Sequence, residues 1–236
     1  MDDVLPSTLA FLPSEHGFAF RNAWPALPIT TIRVGPVQVP IGSAANGMCG
    51  GMVFAALDYF AAGRPVPRVD RPAQGTVLYD FIARRLIDSF NLPEGPLKYL
   101  DYMDPTRRDR DNWWSWLTRF RGRDWLMVKR EWPRLRERLD RGPCPVAWVH
   151  ARSVDPSDLG ENHVVLAYRY AIEGPVATVY VYNPNVVGPS ADTQSFSFRI
   201  DSTRALDRVT RSHGGKTILC FFPLAFTPAV PPTLSA

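Results

Sequence analysis

The sequence has few cysteines, and this excludes two classes of protein. Only 3 of the 236 residues are cysteine, at Cys49, Cys144 and Cys220, which are too few and too far apart for a disulfide framework. A disulfide between Cys144 and Cys220 stays open as an alternative. The chain also has no Cys-x-x-Cys or His-x-x-x-His spacing, so no zinc-site pattern is present. We therefore expect neither a metal nor another cofactor.

Long apolar runs are missing as well. No stretch approaches the ~18 apolar residues that a membrane span needs, and residues 1–6 show no basic region followed by an apolar one. A secretory signal would have that pattern. We expect a cytoplasmic protein without a membrane partner, with export by a leaderless route left open. The oligomeric state is not predicted.

Lysine is scarce too, because 24 of the 27 basic residues are arginine. The net charge is +4, but acidic residues alternate with the basic ones over 107–111 and 134–138. Nucleic-acid binding requires basic residues collected on one face. The pattern favours a solvated mixed-charge surface, and no nucleic-acid partner is expected.

The chain changes character near residue 142, where helical periodicity gives way to short β-branched and aromatic runs. This order predicts an α+β fold in one domain over 1–236. A lead-in over 1–45 wraps the core, a helical lobe follows over 46–141, and a β lobe covers 142–236. Helices are predicted over 49–62, 76–90, 96–103, 111–120 and 131–141, with a further excursion over 201–211, and strands over 146–150, 163–170, 177–182, 194–200 and 217–222.

Cys49 stands in the glycine-flanked phrase NGMCGGM, residues 46–52, which opens an apolar helix with a flexible start. The helix is predicted to end before Gly63, with Pro65 as a stop. Unpaired N–H groups and the helix dipole at its start favour the thiolate form of Cys49. The alternative is a buried structural cysteine. Asp58, in the middle of this helix, is expected to pair with an arginine.

His163 opens the strand that begins His-Val-Val-Leu, and a tight turn at Gly174 leads into the next strand. An antiparallel hairpin centred there sets Asn183 almost opposite His163. Asn183 can then hold the imidazole in one orientation and tautomer. His150, at the end of an earlier strand, is an alternative base, but no hairpin brings an orienting group to it.

These residues form a nucleophilic constellation. A cysteine nucleophile needs an imidazole that takes and returns its proton, and the developing oxyanion needs hydrogen-bond donors. Cys49 is therefore the predicted nucleophile, His163 the base and Asn183 the orienting residue. The Cys49 N–H and the Asn46 side chain are the expected oxyanion donors, and Asn185 is expected to support the site.

Three phrases carry a resemblance: LDRGP at 139–143 with Pro145, NHVV at 162–165 and YNPN at 182–185. With a Cys–His–Asn order, the chain resembles the papain-like cysteine peptidase superfamily. More narrowly, it is similar to bacterial domains of the double-glycine leader-processing kind. The resemblance implies a papain-like two-lobed fold, with the Cys49 helix packed on an antiparallel sheet, and the same three catalytic residues. It covers residues 40–60 and 130–190, while 64–125 is an insertion without a counterpart.

Two departures from that pattern leave the function open. Ser43 stands where family members usually have a glutamine as oxyanion donor, and Asn183 replaces the commoner aspartate. The first hypothesis is a hydrolase that cleaves a peptide or isopeptide bond in a peptide or protein through an acyl-thioester on Cys49. The alternatives are a catalytically silent peptide-binding module, and an acyl-transferase or deamidase that uses the same residues.

The tryptophan-rich segment 111–120 places Trp113, Trp116, Leu117 and Phe120 on one helical stripe. This spacing predicts that the stripe belongs to the core of the helical lobe. Trp114 falls off the stripe and is available to line a groove.

Overall fold

A computed structural model describes residues 10–24, 28–34, 37–43, 47–118, 120–201 and 209–233. Its helices precede its main antiparallel sheet, which confirms the predicted α+β class. The helices are α1 Pro13–His16, α2 Cys49–Ala61, α3 Val77–Ser89, α4 Glu94–Met103, α5 Trp113–Thr118, α6 Arg123–Leu126 and α7 Trp132–Leu139.

Eight strands form two sheets in the described residues. Strands β1 Pro28–Val34 and β2 Val37–Ser43 make a separate hairpin. The main sheet is antiparallel, curls as a half-barrel and has the order β7-β6-β5-β4-β3-β8. Its strands are β3 Cys144–Val149, β4 His163–Glu173, β5 Val176–Tyr182, β6 Ser195–Arg199, β7 Thr210–Arg211 and β8 Cys220–Pro223.

Helix α2 lies at the centre of the fold, and all of its residues from Cys49 to Tyr59 are buried. It packs along α3 on one side and against β4 on the other. As predicted, it ends just before Gly63, whose positive φ of 63° follows the last turn. Asp58 pairs with Arg85 of α3 at 2.7 Å, so the expected ion pair is present.

Strand alternation divides the core into two apolar clusters, one on each face of the main sheet. On the first face, α2, α3 and α4 pack on residues such as Ala147 and Val164. On the second face, Trp132, Leu135 and Leu139 of α7 pack on the neighbouring strand residues, which include Trp148. The start of α2 and the start of β4 meet at one edge of this arrangement.

Two free, buried thiols replace the disulfide that was left open between Cys144 and Cys220. Cys144 belongs to the cluster on the second face and Cys220 to the cluster on the first. In the β3–β8 register, Cys220 faces Val149 and not Cys144. The sheet itself therefore separates the two sulfurs, and burial raises the pKa of Cys144 to about 11 and that of Cys220 to about 12.

The predicted core role of the tryptophan stripe is wrong for the members whose side chains are described. Trp113 is 65% exposed, Leu117 59% and Phe120 51%. Helix α5 is only six residues long, so it has too few turns to bury a continuous stripe against the neighbouring helices. The side chains of Trp114 and Trp116 lie outside the described part.

The helix predicted over 131–141 belongs to a helical segment that is longer and less regular than the spacing indicates. Helix α6 continues through a π-helical turn, Met127–Glu131, into α7. The helical excursion predicted for 201–211 falls mostly outside the described residues, and its last two residues are the strand β7. Within the part of the chain that is described, no helix is both long and apolar enough for a membrane span.

Candidate active site

Cys49 is the first residue of α2 and is 7% exposed. The backbone N–H of Val164, the second residue of β4, donates to its sulfur at 3.4 Å. Strand β5 pairs with β4 only from Leu166 onward. The first residues of β4 are therefore open on that side to the N-terminal end of α2, where Cys49 lies. The packing of α2 on β4 therefore brings the sulfur beside the residue that follows His163.

The environment of Cys49 acts on its pKa in two opposing ways. Burial raises the pKa of the thiol, while hydrogen bonds from the backbone of Val164, Gly50 and Cys49 itself lower it. Burial is the larger effect, so the pKa is raised overall. The thiolate expected from the helix start is thus wrong for the resting protein, because the same packing that supplies the amides also excludes water.

His163 and Asn183 form the second half of the site. Nε2 of His163 lies 2.9 Å from Oδ1 of Asn183, which is 2% exposed. The backbone N–H of Asn185 donates to the same oxygen at 3.0 Å. Because an oxygen that receives the Asn185 N–H is an acceptor, Nε2 must carry the proton that it shares with Asn183. Nδ1 of His163 is then the basic nitrogen.

The hairpin register differs from the predicted one by about two residues. Leu166 faces Tyr182 across the pair, with a β-bulge between Ala167 and Arg169. Continuing that register by one residue sets Asn183 against Val165 rather than His163. Side chains two residues apart on a strand share a face, so the amide still reaches the imidazole. The alternation of side chains along a strand was enough to predict that His163 and Asn183 share one face of the sheet. Nothing in the sequence pattern predicted the bulge that shifts their register.

The half-buried His163 ring is neutral at physiological pH. Burial lowers its pKa to about 4, partly opposed by the hydrogen bond with Asn183, and the nearby charges of His150 and Arg211 lower the pKa further. A neutral imidazole can accept a proton, but a pKa this low makes the ring a weak base in the resting protein. Within the described residues, no hydrogen bond joins this ring to the Cys49 sulfur.

Asn22, in the lead-in, is a residue that the sequence analysis missed. Its Oδ1 accepts the N–H of Met48 at 2.5 Å, and its Nδ2 donates to Oδ1 of Asn185 at 3.1 Å. Its backbone N–H also donates to the carbonyl of Pro184 at 2.9 Å. Asn22 thereby connects the start of α2 with the turn after β5. No local spacing signals this contact, because the partners are distant in sequence.

One of the two expected oxyanion donors, the Asn46 side chain, belongs to the part of the chain that is not described. Ser43 is the last residue of β2, with its side chain outside the described part. Asn185 contacts the site through Asn22 and Asn183. Nearby, the Oδ1 of Asn162 accepts the N–H of His150 at 2.9 Å, which holds the segment just before His163.

The segment 64–125, which has no counterpart in the resemblance, contributes to the wall behind Cys49. Tyr99 of α4 is 4% exposed. Burial raises its pKa, and the neighbouring Cys49 raises it further. The ring of Tyr99 packs edge-on against Phe222 of β8, with 4.9 Å between ring centres. This segment is therefore part of the core beside Cys49.

The other histidines have different partners. His150 shares its Nδ1 with the carbonyl of Thr217 at 2.7 Å. Nδ1 of His213 lies 2.8 Å from the side-chain amide of the buried Gln194, and His16 contacts its own turn at Leu12. His163 differs from them because its ring has an amide partner and the N–H of the next residue, Val164, donates to a thiol.

In the described part of the chain, no group of three His, Cys, Asp or Glu side chains has metal-ligand geometry. Comparisons of the chain with protein-family models, with curated proteins and with solved structures return no match.

Proposed function

We propose that this chain is a cysteine hydrolase with a papain-like fold, which cleaves a peptide or isopeptide bond of a peptide or protein substrate. The observation that carries the proposal is the pair of contacts at one edge of the sheet: the Cys49 sulfur on the Val164 amide, and the His163 ring on Asn183. The nucleophile comes from a helix start and the base from a strand start, as in the superfamily that the sequence resembles.

In this proposal, substrate binding brings the thiol from the Val164 amide to Nδ1 of His163. Both groups must move to meet, because Cys49 belongs to the cluster on the first face of the sheet, whereas the His163 ring packs beside Trp148 of the cluster on the second face. Apo sites are often loose in this way and tighten only in the complex. Nδ1 takes the thiol proton as the sulfur attacks the carbonyl carbon, and the Cys49 N–H is an available oxyanion donor. Collapse of the tetrahedral intermediate breaks the C–N bond, and the imidazolium gives its proton to the leaving amine.

Water then attacks the acyl-thioester. His163 accepts the proton of this water, the carboxylic acid leaves, and the thiol is restored. Throughout the cycle Asn183 keeps Nε2 protonated, so that Nδ1 alone exchanges protons. If an amine replaces the water, the same residues carry out acyl transfer, and if the substrate bond is a side-chain amide, they carry out deamidation.

A peptide-based electrophile, such as a vinyl sulfone on a mixed peptide library, tests this proposal. We expect it to modify Cys49 before Cys144 and Cys220, as read by mass spectrometry of tryptic peptides. His163→Ala is expected to lower the rate at Cys49 by about 10²-fold or more, the usual contribution of a positioned general base. The native protein should also release new termini from unmodified library peptides.

His150→Ala is the matched control, because His150 lies near the same edge without an amide partner, and its effect should be only a few-fold. Equal and slow modification of all three cysteines, together with no peptide cleavage, would favour the silent peptide-binding module. An equal loss of rate in both histidine variants would contradict the assignment of His163 as the base.

A further inference from the structure

Arg211, in the edge strand β7, lies one aromatic ring away from the candidate base. Its guanidinium carbon is 4.8 Å from the ring centre of Trp148. The Trp148 ring centre is in turn 5.8 Å from that of His163. Gly215 leaves room for this placement, since a Cβ at that residue would come within 2.3 Å of Nη1 of Arg211.

The charge of Arg211 is not balanced locally. Arg211 is half-buried, and Nη1 donates only to the carbonyl of Lys216, at 3.3 Å. No carboxylate among the described residues forms an ion pair with it. By contrast, the fully buried Arg85 and Arg123 each pair with an aspartate, at 2.7 and 2.9 Å. Removing a guanidinium from water raises the free energy of the folded protein unless an anion pairs with it. A bound ligand can supply that anion.

We call the region around Arg211, Trp148 and His163 the Arg211 corner. Two further observations indicate that this corner favours an anion. Burial is the main cause of the lowered pKa values of His163 and His150, and the charge of Arg211 lowers both further, while Glu161 opposes this at His150. Glu161 is itself paired with Lys216. Trp148 is 1% exposed, and its Nε1–H has no acceptor within the described residues. Arg211 and the Trp148 Nε1–H are therefore left without an anion or a side-chain acceptor among the described residues.

The chemistry of the proposed reaction says which part of a substrate would reach this corner. In the proposed reaction, the imidazole that protonates the leaving amine lies on the leaving-group side of the sulfur, and Arg211 is separated from that imidazole by the Trp148 ring. Guanidinium groups bind carboxylates with charge-assisted, often bidentate hydrogen bonds. The separations of 4.8 Å and 5.8 Å across Trp148 together correspond to the length of at most about three extended residues of about 3.3–3.6 Å each.

We infer that Arg211 is a specificity residue that binds a carboxylate on the leaving-group side of the substrate, within about three residues of the cleaved bond. This inference rests on the proposed function for its assignment of sides. The carboxylate has two sources, the free C-terminus of a short leaving fragment or an acidic side chain near the bond. Either one would neutralise the guanidinium and so reduce the extent to which Arg211 lowers the pKa of His163.

The test uses three matched peptide libraries of mixed sequence: free C-terminus, C-terminal amide, and C-terminal amide with one aspartate near the end. Native protein is incubated with each library, and the cleavage sites are read by mass spectrometry. We expect cleavage of carboxylate-bearing peptides to exceed that of the plain amides by about 10-fold or more, the effect of one charge-assisted hydrogen bond. The free-acid and aspartate libraries distinguish the two sources.

Arg211→Gln should remove this preference, and Arg211→Lys, which keeps the charge, should restore part of it. Arg169→Gln is the control, because Arg169 stacks on Tyr180 at 3.6 Å in the same sheet but well along β4 from His163. It should retain the full preference. An unchanged preference in a folded Arg211→Gln protein would overturn the inference.

Binding of the same libraries to immobilised Cys49→Ala protein separates this inference from the proposed function. Selective capture of carboxylate peptides that depends on Arg211, without any cleavage by native protein, would remove the hydrolase and leave the anion site in place. Cleavage without a carboxylate preference would support the hydrolase and overturn the anion site at Arg211. Neither cleavage nor selective capture would overturn both.

Discussion

Arg123 and Asp124 are neighbours in α6, and both are buried, but only Arg123 has its hydrogen bonds satisfied. Its Nε donates to the carbonyl of Tyr102 at 2.7 Å, its Nη2 to that of Asp104 at 2.6 Å, and its Nη1 to the carboxylate of Asp109 at 2.9 Å. The carboxylate of Asp124 receives no hydrogen bond from the described residues. Arg110 forms an ion pair with this carboxylate at 4.0 Å, which is too long for a hydrogen bond. A buried carboxylate that lacks hydrogen bonds destabilises the fold when it is charged, and this makes Asp124 a pH-sensitive residue.

We expect Asp124→Asn to stabilise the protein above pH 7. The pKa of Asp124 is raised to about 7, mainly by burial and also by the nearby Asp109, while Arg110 at 4.0 Å opposes both. The favourable contribution of the protonated acid is complete below about pH 4 and is lost as pH rises through 7. At pH 8 the gain in the free energy of unfolding should be on the order of 2 kcal/mol.

Urea unfolding at pH 4 and at pH 8 measures this difference. Asp70→Asn, which changes an exposed carboxylate, is the control and should stay within about 0.5 kcal/mol at both pH values. A gain for Asp124→Asn that is equal at the two pH values would contradict the assignment.

At the scale of elements, the glycines beside Cys49 have a packing role rather than the flexibility expected from the sequence. A Cβ at Gly50 would come within 2.2 Å of Oγ of Ser89, and one at Gly51 within 2.1 Å of the carbonyl oxygen of Ile82. Both partners belong to α3. The absence of side chains at these positions lets α2 approach α3 closely just after Cys49.

Gly51→Ala is expected to lower the free energy of unfolding by about 1–3 kcal/mol, the usual effect of overpacking. Alanine favours the helix by about 1 kcal/mol, but the contact is with α3 backbone, which cannot move aside like a side chain. Chemical denaturation of the purified variant measures the change. Gly214→Ala, where a Cβ meets open space, should stay within about 0.5 kcal/mol. Equal effects would indicate that α2 and α3 can separate without cost.

At the scale of the whole molecule, Asn22 joins three distant parts of the chain. The lead-in, the start of α2 and the turn after β5 meet at its side chain and backbone. Gly47, with φ of 75°, allows this contact, since a Cβ there would come within 2.3 Å of Nδ2 of Asn22. The relative position of Cys49 and Asn183 thus depends on a residue outside both lobes.

Asn22→Ala is therefore expected to affect the site more than the stability. Loss of its hydrogen bonds should lower the free energy of unfolding by about 1–2 kcal/mol, and reaction of Cys49 with the peptide electrophile should slow by about 10-fold through misalignment. Asn112→Ala removes two side-chain hydrogen bonds, both to Ser115 in α5 among the described residues, and should leave the Cys49 rate unchanged. If both variants slow Cys49 equally, Asn22 has no positioning role.

Local signals in the sequence were enough to predict most of the elements. The cap at Thr76, whose side chain accepts the N–H of Tyr79, and the stop after Ala61 are short-range features, and α2 and α3 were predicted within a few residues. The main strands were also found, since alternation and turn residues act over short distances. The hairpin β1–β2 lies in the segment that the sequence predicts only as a lead-in, and the π-helical turn before α7 was not predicted.

The sequence alone also placed His163 and Asn183 on the same face of one hairpin, because the side-chain period of two survives a register error of two residues. Tertiary structure decided the rest. The Val164 amide on Cys49, the bridge through Asn22, the exposure of the α5 stripe and the unbalanced charge of Arg211 all join residues far apart in the chain. Burial also reversed the expected ionisation of Cys49. The free-energy cost of removing a thiolate from water is set by the residues packed around the sulfur, and these are distant from Cys49 in the sequence.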